Sequence, residues 1–147
     1  MKHPVSIGDS IAYSINRSAR LLRKHFLSIA ADLGVEITPE QWFVLNKLRL
    51  RDGRSQVELT EDIFGDRPNL TRMLATMERK GLVSRTPDSE DKRRMRVHLT
   101  DSGRSLHDAF AANVESQRAR LFKGINTTDM ATLRRVLSTM ESNMNKS

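Results

Sequence analysis

A chain of 147 residues is long enough for one domain, or one domain with appended helices, and can bury a core of its own. Its 25 Lys and Arg against 18 Asp and Glu leave a formal net charge of +7, which favours a polyanionic partner. Cysteine is absent, which excludes disulfides and thiol redox sensing; no apolar run approaches the roughly 20 residues of a membrane span, and MKHPVSIGDS has no apolar signal core, so a cytoplasmic protein that does not enter the membrane is expected.

From Ser6 to Leu33, apolar residues fall at Ile7, Ile11, Ile15, Ala19, Leu22, Phe26, Ile29 and Leu33. Steps of three and four predict one long amphipathic helix, stopped by Gly34. Thr38-Pro39-Glu40-Gln41 then starts a second helix: Thr38 caps, Pro39 suits the first helical position and Gln41 closes a capping box. It carries Trp42, Phe43, Leu45 and Leu48, and Asp52-Gly53 breaks the chain. Ser55 caps a short helix with Val57, Leu59, Ile63 and Phe64. Gly65 ends it, Asp66 caps the next, and that helix runs to about Lys80 with Leu70, Met73, Leu74 and Met77 as its buried stripe.

The period then changes. Leu82, Val83 and Arg85 form a short strand, and Met95, Val97 and Leu99 alternate with Arg96 and His98 in a second. Asp101-Ser102-Gly103 begins a helix with Leu106, Phe110, Val114 and Leu121 on one side. Thr127 or Thr128 caps the last helix, where Met130, Leu133, Leu137, Met140 and Met144 have the spacing of a helix–helix seam. The predicted fold is mainly α with a small β-hairpin: a winged helix-turn-helix between terminal helices. The expected division is residues 1–34, 35–100 and 101–147, the middle part being the winged helix-turn-helix and the flanks appended helices.

The chemistry sits on the helix after Asp66 and on the hairpin tip. An α-helix fits the DNA major groove with its N-terminal residues toward base edges. Here that first turn and a half presents Arg67, Asn69, Thr71 and Arg72, with Pro68 removing a donor that would be unpaired anyway. Arg pairs with guanine, Asn with adenine, and Thr meets a thymine methyl or a phosphate. Ser55 and Gln56 open the preceding helix, where free N–H groups suit a phosphate. At the tip, Lys92, Arg93, Arg94 and Arg96 concentrate charge suited to a narrow minor groove, and Asp91 stands beside them to brace it. Taken singly, each of these residues reads as an ordinary solvated charge. It is their order that favours DNA.

These residues also carry a resemblance. Asn69-Leu70-Thr71-Arg72-Met73-Leu74, Lys80-Gly81-Leu82-Val83, Asp91-Lys92-Arg93-Arg94, and Val97-His98-Leu99-Thr100 with Gly103 resemble the MarR family of bacterial winged-helix regulators. The resemblance spans nearly the whole chain. It implies that the helix after Asp66 is the recognition helix, that Arg93 enters the minor groove oriented by Asp91, and that the terminal helices make a twofold homodimer on a palindromic operator. It also implies a small aromatic or carboxylate ligand in a cleft lined by residues such as His25, Trp42 and Phe43. Occupying a promoter blocks polymerase, so repression relieved by that ligand is the expected sign, with activation as the alternative. The chain departs from the family pattern at Thr60 and in the apolar Ile63-Phe64-Gly65, where a polar turn is usual.

Other classes fit less well. A winged helix can also bind RNA or dock proteins. No Ser-His-Asp, Cys-His or paired-carboxylate arrangement and no glycine-rich phosphate loop stands out, so no enzyme is expected. His98 and His107 near Asp101 and Asp108 lack a metal-binding spacing, so neither a metal nor a cofactor is expected.

Overall fold

The computed structural model describes residues 4, 6, 10–63 and 67–146, without the side chains of Asp62, Ile63, Arg67 and Pro68. The helix expectations placed on Ile7, Phe64, Gly65 and Asp66, and the core position of Ile63, lie outside this description. The elements run α1 (Ile11–Asp32), α2 (Pro39–Leu50), β1 (Arg54–Ser55), α3 (Gln56–Ile63), α4 (Arg67–Arg79), β2 (Val83–Pro87), β3 (Met95–Leu99), α5 (Asp101–Leu121) and α6 (Thr127–Asn145). The chain forms two compact units, residues 1–111 and 112–147. Among the described residues no helix is long and apolar enough to cross a membrane.

The first helix starts later than its apolar stripe suggests. Ser10 is the cap, with extended backbone and its hydroxyl accepting the Tyr13 N–H at 3.4 Å, so Ser6 precedes the helix. A helix begins where its free N–H groups find an acceptor, and apolar spacing does not report that. Of the stripe, Ile15, Phe26 and Ile29 are half-buried, whereas Ile11 (67% exposed) and Leu22 (48%) remain in solvent. The α2 start matches its sequence signature: Gln41 N–H donates to Thr38 Oγ1 at 3.2 Å and Thr38 N–H to Gln41 Oε1 at 3.1 Å. Val44, Leu45 and Leu48 of α2 are fully enclosed, with Leu59, Leu74, Met77, Val97 and Phe110. Each such side chain contributes about 1.5–3 kcal/mol by leaving water.

The hairpin has a third strand that the sequence did not betray. The sheet is antiparallel in the order β1-β3-β2, with Arg54 opposite Val97 and Val83 opposite Leu99. Two residues of β1 are too few to show alternation. Asp52 completes this edge, its Oδ1 accepting the Leu99 N–H at 2.9 Å. Gly81 (φ 74°) closes α4, where Leu82 N–H reaches back to the Met77 carbonyl. Gly103 is required by space: a Cβ there would lie 2.0 Å from the Leu82 carbonyl oxygen. The α5 start is capped by Thr100, whose Oγ1 accepts the Gly103 N–H at 3.0 Å.

In the second unit, Asn126 caps α6 by accepting the Asp129 N–H at 2.7 Å. This corrects the expectation of Thr127 or Thr128. The amide oxygen of Asn126 reaches the N–H three residues on, so both threonines fall inside the helix. No residue of α6 is buried; Leu133 is 50% exposed and Met144 64%. Leu121, expected on the packed side of α5, is 43% exposed.

Candidate nucleic-acid interface

The α3–α4 pair and the β2–β3 tip carry the candidate residues. On α4, Asn69, Thr71 and Arg72 are all exposed, while Leu70, Leu74 and Met77 bury the opposite side. This division fixes which face is offered to a groove. Arg72 Nη2 donates to Asn69 Oδ1, one turn away. Gln56 Nε2 donates to Thr71 Oγ1 at 2.8 Å, linking the start of α3 to the first turns of α4. Arg67 and Pro68 form the first turn of α4, and their side chains lie outside the described residues.

Ser55 stands apart from the others. It is buried, and its hydroxyl accepts the Glu58 N–H at 3.1 Å. That hydroxyl therefore caps α3 from within, and Gln56 is the half-buried polar group at this helix start.

At the tip, Asp91 Oδ1 accepts both the backbone N–H (3.1 Å) and Nε (3.2 Å) of Arg93. The Arg93 side chain is 92% exposed, so it is aimed by its base and open at its end. Lys92 and Arg94 are exposed beside it, and Arg94 Nε lies 3.9 Å from Asp91 Oδ2. The pairs themselves add little to stability at such exposure. Their effect is to hold positive charge clear of the sheet.

Arg96, expected among the tip cations, lies instead within β3 beneath the tip, and sequence reasoning missed its partner Asp88. Arg96 Nη2 lies 3.2 Å from Asp88 Oδ2, and Asp88 is buried. The Glu90 backbone N–H, then Arg96, hold the Asp88 carboxyl below the usual carboxylate range against the opposing effect of burial. Beside the strand, Arg85 binds the Glu78 carboxylate and lowers it likewise. The alternation of β3 marks Arg96 as polar but cannot name its partner.

The residues expected to line a ligand cleft fall on α1 and α2. Trp42 stacks on His107 (centroids 5.7 Å apart, planes 6° apart) and sits 6.1 Å from Phe43, 6.4 Å from Phe26 and 5.8 Å from Phe110. Phe43 is 46% exposed at the edge of this aromatic group. Trp42 Nε1 and His25 Nε2 are enclosed without a hydrogen-bond partner among the described residues. His107 bonds Asn46 Oδ1 (2.9 Å) and Asp108 Oδ1 (3.0 Å), and with Arg49 it holds the Asp108 carboxyl below its ordinary value. Phe26, His107 and Phe110 come from distant points of the sequence, so only the fold assembles this group. Among the described residues no cluster of three or more His, Cys, Asp or Glu could hold a metal ion.

Residues 37–95 match the model of the MarR family. The transcriptional repressor CouR bound to a 23-mer DNA duplex is similar at 27% identity, with a TM-score of 0.80 over 95% of this chain and 99% of that one. CouR bound to p-coumaroyl-CoA is similar at 26% identity, with a TM-score of 0.79 over 96% and 98%. BpsR of Bordetella bronchiseptica, whose DNA binding is regulated by 6-hydroxynicotinic acid, shares the fold at 21% identity, with a TM-score of 0.82 over 95% and 98%.

Proposed function

We propose that this chain, whose residues 37–95 match the model of the MarR family of DNA-binding transcription regulators, is a homodimeric bacterial repressor released from its operator by a small ligand. The observation that carries the DNA part is the pairing of two exposed cationic or polar sets on one unit. One is Asn69, Thr71 and Arg72 on α4, and the other is Arg93 braced by Asp91 at the wing tip. Asn69 and Arg72 read base edges in the major groove, Arg93 enters the adjacent minor groove, and Lys92 and Arg94 bind phosphates. Arg67 and Pro68 belong to the same first turn, and Gln56, at the start of α3, faces the DNA backbone, while Ser55 serves only as the cap of that helix.

Dimerisation is supported by exposed apolar surface on each unit taken separately: Ile11, Leu21 and Leu22 on α1, and Leu133 and Val136 on α6. Large exposed apolar sets mark interaction surfaces. Two copies then present two α4 helices to a palindromic site with centres about 10 bp, or a multiple, apart. Ligand release is supported by the aromatic group around Trp42 and by two enclosed nitrogens without partners among the described residues, each costing about 1–3 kcal/mol that a polar ligand atom would offset. A small aromatic or carboxylate compound that also meets Phe43 and His25 fits this chemistry. It would act by favouring a state in which the two α4 helices are out of register. Such a protein works on DNA in the cytoplasm, with no cofactor.

Two substitutions test the DNA reading. Arg93→Ala is expected to weaken binding of an operator duplex in dilute buffer and to flatten its salt dependence. Unchanged binding would remove the wing from the mechanism. Asn69→Ala and Arg72→Ala are expected to relax sequence preference, each base contact being worth about 1–3 kcal/mol. An equal loss on every duplex would make them phosphate contacts instead. Binding of structured RNA in preference to duplex DNA at matched salt would favour the RNA-binding reading.

A further inference from the structure

We propose that Arg96 is a positioning residue for the wing, acting on DNA through Arg93 and not by touching DNA itself. The inference rests on the DNA reading above. Arg96 lies at the centre of the sheet, opposite Ser55 of β1 and Thr86 of β2. Its Nη1 donates to the Gly53 carbonyl at 2.7 Å, and its Nη2 lies 3.2 Å from Asp88 Oδ2. One guanidinium thus bridges the turn before β1 and the base of the wing.

From Asp88 the connection continues to the tip. Asp88 Oδ1 accepts the Glu90 N–H at 3.0 Å, and the Asp88 N–H donates to the Arg94 carbonyl at 2.8 Å. The Arg94 N–H donates to the Asp91 carbonyl at 2.9 Å, and the Asp91 carboxylate holds Arg93. Every link between Gly53 and Arg93 is therefore a hydrogen bond or an ion pair.

The chemistry of the bridge is demanding. The Asp88 side chain is only 8% exposed, and a carboxylate so enclosed needs a fixed partner. A planar guanidinium can serve two acceptors at once, whereas an ammonium on a flexible stem is a single point of charge. An arginine whose purpose was to neutralise a phosphate would lose little on replacement by lysine. An arginine that bridges Gly53 and Asp88 would lose its function while the charge stayed.

Arg96→Lys is the test, measured as duplex affinity beside Arg93→Ala and the double variant, with thermal melting to check the fold. The expected result is a loss like that of Arg93→Ala, about fivefold or more. The double variant is expected to bind no worse than Arg93→Ala alone, because both act through one contact. Footprinting is expected to show minor-groove protection lost at the wing while guanine protection in the major groove persists, which a merely structural loss would not produce. Asp88→Asn, which keeps the cation, is expected to give the same pattern and carries the test if Arg96→Lys unfolds. Binding by Arg96→Lys within about twofold of the parent chain, or losses that add in the double variant, would overturn the inference. A parent chain that binds no duplex would overturn the DNA reading, and this inference with it.

Discussion

Phe110→Ala is expected to lower the free energy of unfolding by about 3–5 kcal/mol, the range for removing a buried phenyl ring. Phe110 is fully enclosed and lies 4.6 Å, centroid to centroid, from Phe26 and 5.8 Å from Trp42. Its ring therefore joins α5 to both α1 and α2, and alanine would leave a cavity bounded by two other aromatic rings. Native domains retain only about 5–15 kcal/mol, so this substitution takes a large share of the total. Urea unfolding at fixed protein concentration measures it. A loss under about 1 kcal/mol would mean that the aromatic group is loosely packed and that Trp42 is held by other contacts.

Truncation after Thr127 is expected to have the largest functional effect. It removes all but the first residue of α6, with its exposed Leu133, Val136 and Met144. If those side chains meet a second copy, the shortened chain sediments as a monomer or a weak dimer. A lone copy binds one half-site, and the gap between specific and non-specific binding is typically 10³–10⁷, so a loss of at least about a hundredfold in operator affinity is expected. Leu133→Glu in the full chain checks the same surface without shortening it, and is expected to shift the monomer–dimer balance in the same direction. An intact dimer in both variants would assign α6 another role.

The sequence exposed local patterns well and distant pairings poorly. The α2 capping box was legible because its partners lie three residues apart, and the hairpin because β3 alternates after a charged tip that follows the short strand β2. Strand β1 was hidden by its two-residue length, and the true starts of α1 and α6 were hidden because a cap depends on one backbone bond. At the candidate interface, the exposed face of α4 followed from its apolar stripe. The links that hold it did not: Gln56 to Thr71, and Arg96 to Gly53 and Asp88, join residues whose separation in sequence obeys no period. Ser55 was legible in two ways, as the cap of α3 and as part of a phosphate site, and the fold uses its hydroxyl for the cap.

The specificity of the paired helices can be read from DNA itself. Purified chain is incubated with a pool of random duplexes in dilute buffer, and the retained sequences are determined. The expected outcome is an inverted repeat with half-site centres about 10 bp, or a multiple, apart, bound by two copies of the chain. Retention of no sequence over any other, or of a single unrepeated element carrying one copy, would contradict a twofold clamp built from α4 and the wing.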